Sequence, residues 1–159
     1  MTQEKSTQIQ NLEEQPPVGI STTDWKGTLR IMRFEFRQGA VAGAAGSLAE
    51  LVKLPAGNIR VFLHLSRVNF GAMGSGRTMD IGWLAYETPG GTAVVADPNG
   101  LDDGVSVASA GSVAPTGTLG GDETLLFESK SGVVLTAQVN DGTFPANATI
   151  GGYFIYVQD

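Results

Sequence analysis

The chain has 159 residues, a formal charge of −6, 22 glycines and no cysteine. Without cysteine there are no disulfides, no thiolate metal centres and no cysteine nucleophile, a composition that fits synthesis in a reducing cytoplasm. The acidic balance, with Arg30, Arg33, Arg37, Lys53, Arg60, Arg67 and Arg77 dispersed along the sequence, argues against a nucleic-acid partner, which needs clustered cations, and leaves a small basic stripe on one sheet face as the exception to look for.

Residues 1–24 read as an extended polar N-terminal arm, too poor in large apolar side chains to offset the entropy of ordering itself. A short helix is expected over Ser6–Glu14, where Ile9 and Leu12 are spaced three apart, and Pro16-Pro17 ends it. The segment shows no basic region followed by an apolar run, so no signal peptide is expected. No stretch of the chain approaches the roughly 18 apolar residues of a spanning helix, so no membrane role is expected either.

Residues 25–159 read as a β-body punctuated by glycine. Thr28–Phe36 alternates, with Met32, Phe34 and Phe36 on one face and Arg33 and Glu35 on the other, although Leu29 and Ile31 blur its start. Gly39–Gly46 is a small-residue connection, and Ser47–Leu54 is a short helix or strand closed by a turn at Pro55-Ala56-Gly57. Asn58–Ser66 is the clearest strand, with Ile59, Val61, Leu63 and Leu65 inward and Arg60, His64 and Ser66 outward. After a turn at Gly71–Gly76, Thr78–Tyr86 places Met79, Ile81, Trp83 and Ala85 on one side. Thr92–Ala96 follows the Pro89–Gly91 turn, and the acidic stretch Asp97–Gly104 reads as a loop. The closing strands are Glu123–Glu128, Gly132–Asn140 with Val133, Leu135, Ala137 and Val139 inward, and Thr149–Val157 with Tyr153, Ile155 and Val157 inward. Seven or eight strands with little helix predict an all-β fold, an antiparallel β-sandwich or barrel.

Chemistry-bearing residues are sparse. His64, the single histidine, has no G-x-S-x-G nucleophile elbow to serve, and a surface or interface residue is the simpler reading, so no catalytic residue and no enzymatic activity are expected. Asp97, Asn99, Asp102 and Asp103 could offer oxygen ligands to a hard cation. Leu101 stands where the fifth ligand of an EF-hand loop belongs, and Ala108 stands at its twelfth position. A turn in which these side chains bond their own backbone is favoured, and no metal or cofactor is expected. Trp25, Trp83 and Tyr86 could make a sugar-stacking platform, though Trp83 has apolar neighbours on its own face. The glycine groups at Gly71–Gly76, Pro89–Gly91 and Gly117–Gly121 lack the Lys-Ser/Thr of a phosphate loop and read as turns.

The run Leu51–Gly111 carries LPAG at Leu54–Gly57, TMDIG at Thr78–Gly82, DPNGLDDG at Asp97–Gly104 and ASAG at Ala108–Gly111, and the chain closes on GGYFIYVQD. This pattern resembles the auxiliary head proteins of tailed bacteriophages, the capsid decoration or cement subunits. The resemblance implies a jelly-roll-like sandwich without catalytic residues, on the outer surface of the virion. It also implies binding to the major capsid protein and to copies of itself, with a trimer favoured over a dimer. A carbohydrate-binding or receptor-contacting module of a head fibre or tail is the alternative.

Overall fold

The computed structural model describes residues 28–117 and 124–158, and among them there is no helix. The strands are β1 (Arg30–Arg37), β2 (Leu48–Leu54), β3 (Gly57–Phe70), β4 (Thr78–Trp83), β5 (Tyr86–Glu87), β6 (Ala93–Val94), β7 (Asp97–Ser106), β8 (Gly111–Val113), β9 (Thr124–Ser129), β10 (Val133–Asn140) and β11 (Thr149–Gln158). The N-terminal arm, its expected helix, Trp25 and most of the expected turn at Gly117–Gly121 lie outside the described residues.

Two antiparallel sheets face each other. The larger runs β1-β11-β3, with β8 and β9 on the far edge of β3, and the smaller runs β2-β10-β4-β7. Strand β9 pairs with Gly57–Phe62 and β8 with Val68–Phe70, so the two share one edge position. Merging them leaves eight strand positions in which β1 to β4 alternate between the sheets, β7 stays in the smaller one, and the chain returns through β8/β9, β10 and β11. That connectivity is the jelly roll, two Greek keys folded onto each other. Strands β5 and β6 form a separate hairpin across the expected Pro89–Gly91 turn.

The core lies between the sheets. Ile59, Val61, Leu63, Val68 and Phe154 fill it from the larger sheet, and Met79, Ile81, Leu101, Leu135 and Ala137 from the smaller. In β10, and in β1 from Met32 onward, the expected faces are the observed ones. Ser47–Leu54 resolves as strand, since its Ala49, Leu51 and Leu54 all reach the core. Aromatic rings add directional packing: Phe34 stacks on Phe154 at 5.4 Å, and Trp83 meets Phe127 edge-on at 5.4 Å and 81°.

Several expectations need correction. Strand β3 is broken by a bulge in which Leu63–Ser66 oppose Phe154 alone, between the pairs Phe62↔Ile155 and Arg67↔Tyr153. The bulge swaps faces, so Ser66 is fully buried and Leu65 is 40% exposed. The Ser66 hydroxyl holds the distortion together, donating to the Phe62 carbonyl at 2.7 Å and accepting from the Ile155 amide at 3.0 Å. In β11 the core face carries Ile150, Phe154 and Tyr156, whereas Tyr153 and Ile155 pair with outward residues; Val157, in register with outward Arg60, is nevertheless buried. Strand β4 stops at Trp83, which leaves Ala85 exposed.

The acidic stretch Asp97–Gly104 is strand β7, not a loop. Its turn-rich composition is overridden by close packing against β4. A Cβ at Gly82 would collide with the backbone of Asp97 and Pro98, and one at Gly100 would collide with the Trp83 ring. Two glycines therefore let the edge strand seat against its neighbour, which is a tertiary reason that local propensity cannot report.

Candidate functional site

The expected chemical residues do not converge. Among the described residues, no three His, Asp or Glu side chains are grouped to hold a metal ion. Asp97 and Asn99 are half-buried, Asp102 is buried and Asp103 is exposed. Asp102 accepts from the Asp103 amide at 3.1 Å through Oδ1, while its buried Oδ2 lacks a hydrogen-bond partner. Burial pushes the Asp102 carboxyl above the usual aspartate range, and hydrogen bonds from Asp103 and Thr116 offset part of that rise.

His64 is exposed within the β3 bulge, edge-on to the Phe62 ring at 6.4 Å, and Ser66 has turned inward away from it. Of the aromatic trio, Trp83 is buried against Phe127, and Tyr86 packs on the same ring at 6.1 Å. Burial raises the Tyr86 pKa, and the negative charge of Glu128 raises it further. Trp83 lies in the core, as the apolar neighbours on its strand face suggest, and so offers no exposed face to a sugar.

What the fold does assemble is the outer face of the larger sheet. Reading across β1, β11, β3 and β9, one row is Ile31, Ile155, Phe62 and Thr124. Beside it, Val157, Arg60 and Leu126 form a second row, with Leu29 just before β1. On the other side, Arg33, Tyr153 and Arg67 form a third, followed by Glu35, Gly151 and Asn69. Leu29, Ile31 and Leu126 are 57%, 59% and 42% exposed, a large apolar contribution for one side of a sheet.

Arg33, Arg37, Arg60 and Arg67 also lie on this face, four of the six arginines in the chain. Basic residues dispersed in sequence are thus gathered by strand pairing into the basic stripe that composition left open. No ion pair among the described residues engages Arg33 or Arg67. The Arg60 Nε is buried without a hydrogen-bond partner, an orphaned donor inside the apolar row. Gly151 leaves a gap in the Glu35–Asn69 row, and a trough of about 480 Å³ opens there along Phe34, Phe70 and Thr149.

No protein-family model matches the sequence, and no curated protein matches it. Solved structures do. One chain of the capsid of Ralstonia phage GP4 is 20% identical with a TM-score of 0.60, over 84% of this chain and 86% of that one. One chain of the cyanophage Pam1 capsid asymmetric unit is 14% identical with a TM-score of 0.51, over 85% and 88%. The likeness shows the fold. It agrees with the jelly roll derived from strand order, and at these identities it transfers no residue role.

Proposed function

We propose that this chain is a structural protein of a tailed-phage virion, a decoration or cement subunit on the outer capsid surface that binds the major capsid protein and copies of itself. Catalysis has no part in this role, which needs no metal or cofactor. The observation that carries the reading is the outer face of the larger sheet, where exposed isoleucine and leucine side chains stand among four arginines. A face of this kind gains free energy when covered by another protein, through burial of apolar area and pairing of its arginines. The sequence motifs of Leu51–Gly111 and the shared fold with chains of two phage capsids support the same assignment.

Many copies arrayed by shell symmetry would turn modest single contacts into firm attachment. A trimer is the favoured oligomer, on the family resemblance. The direct test is co-sedimentation with undecorated shells assembled from the major capsid protein. Saturable binding at a fixed ratio to the capsid subunit is expected, and unchanged binding by the His64→Ala variant accompanies it. A chain that stays wholly in the supernatant over shells in excess overturns the assignment.

A further inference from the structure

We propose that the outer face of the larger sheet is the docking site for the N-terminal segment of a neighbouring copy of this chain, with residues 9–20 as the part that binds. This deepens the self-association in the proposed function and rests on it.

The face and the segment are complementary. The Ile31–Ile155–Phe62 row offers apolar contact, and Arg33 and Arg67 flank Tyr153 on the next row. Strand spacing places these two arginines about 10 Å apart. The segment carries Ile9, Leu12, Val18 and Ile20 beside the acidic pair Glu13-Glu14. Apolar side chains laid on the isoleucine row bring the two carboxylates within reach of the two guanidiniums. Arg–carboxylate pairs of this kind are strong and geometrically selective when water is excluded. The trough at Gly151 continues the surface beyond the arginine row.

Chain length puts a neighbouring copy within reach. The first described residues, Thr28 and Leu29, enter β1 at the margin of this face. Crossing four strands of its own sheet would take about 15 Å, or roughly five extended residues. The Glu13-Glu14 pair lies 15 residues before Leu29, a reach of about 50 Å when extended, and Pro16-Pro17 favours extended backbone. That reach is the diameter of a small domain, so the segment can span to an adjacent copy, the partner that the proposed self-association calls for.

The test uses the full chain with a photo-crosslinking benzoylphenylalanine in place of Ile155, mixed with an equal amount of ¹⁵N-labelled chain. Crosslinks from position 155 to residues 9–20 joining labelled to unlabelled chains are expected. Crosslinks confined within one chain, crosslinks that avoid residues 1–27, or no intermolecular product up to about millimolar protein would each overturn the proposal. Arg33→Glu combined with Arg67→Glu should weaken self-association at least tenfold, and Glu13→Arg with Glu14→Arg in the same chain should restore it. A folded charge-swapped chain that stays dissociated also overturns it. Shell co-sedimentation is read separately: a chain that passes both tests here and ignores shells keeps this docking and loses the capsid role.

Discussion

On the smaller sheet the outward side chains of β4 and β10 include Thr78, Asp80, Gln138 and Asn140, and they are engaged by their own molecule. Asn140 Nδ2 donates to Thr78 Oγ1 at 3.4 Å, the Gly104 amide donates to Asp80 Oδ1 at 2.9 Å, and Gln138 Nε2 donates to the Gly46 carbonyl at 3.3 Å. On the larger sheet the outward side chains are Ile31, Ile155 and Phe62, bordered by arginines without ion-pair partners among the described residues. Both sheets share one core, so the difference has nothing to do with folding. Apart from Thr136, whose buried Oγ1 lacks a partner, these polar side chains are satisfied within the monomer, whereas an apolar face bordered by arginines without ion-pair partners among the described residues gains stability when another protein covers it.

The largest test of this contrast lies in the shared core. Phe127 is fully buried and touches both Trp83 and Tyr86, so Phe127→Ala should cost about 3–5 kcal/mol in chemical denaturation. Next is the bulge that sets which residues of β3 reach the outer face. Ser66→Ala strands the Ile155 amide and should cost about 1–3 kcal/mol; a smaller loss would mean that the hydroxyl does not hold the bulge.

Asp102 sharpens the comparison on the smaller sheet, where a carboxyl is buried with one oxygen unpartnered. Its folded-state pKa is raised by burial, so the folded protein holds that proton more tightly than the unfolded chain. The stabilising contribution is complete below the ordinary carboxylate value, near pH 4, and is lost as pH rises through the folded pKa. Asp102→Asn should therefore stabilise the protein at pH 7, on the order of 1 kcal/mol, and flatten its stability profile above pH 4. An unchanged pH profile in thermal melts would show that Asp102 does not titrate in this window. The smallest expected effect on folding is on the outer face itself: Arg67→Glu should change stability by no more than about 0.5 kcal/mol while weakening self-association measured by light scattering.

How far the sequence discloses this molecule varies by element. Strand β10 is legible because Val133, Leu135, Ala137 and Val139 alternate strictly with residues of the other face. Strand β7 is hidden, because DPNGLDDG has the local chemistry of a turn and becomes a strand through the packing of Gly82 and Gly100. The core face of β11 is misread from sequence because Tyr153–Val157 is apolar at every position. That continuous run is itself the available signal: a strand apolar at every position puts apolar side chains on the outer face as well as in the core. Ile31, which blurs the alternation of β1, carries the same message. The arginine cluster is beyond reach, since Arg33, Arg60 and Arg67 come together through pairing of β1 and β3 with β11, more than a hundred residues from β1 in sequence.

The account turns on which of the two faces joins molecules. Sedimentation equilibrium of the full chain against two single variants, Ile155→Asp on the larger sheet and Gln138→Asp on the smaller, tests it most directly. The account predicts an oligomeric wild type, a dissociated Ile155→Asp and an oligomeric Gln138→Asp. A monomeric wild type, or dissociation caused by Gln138→Asp and not by Ile155→Asp, would contradict it.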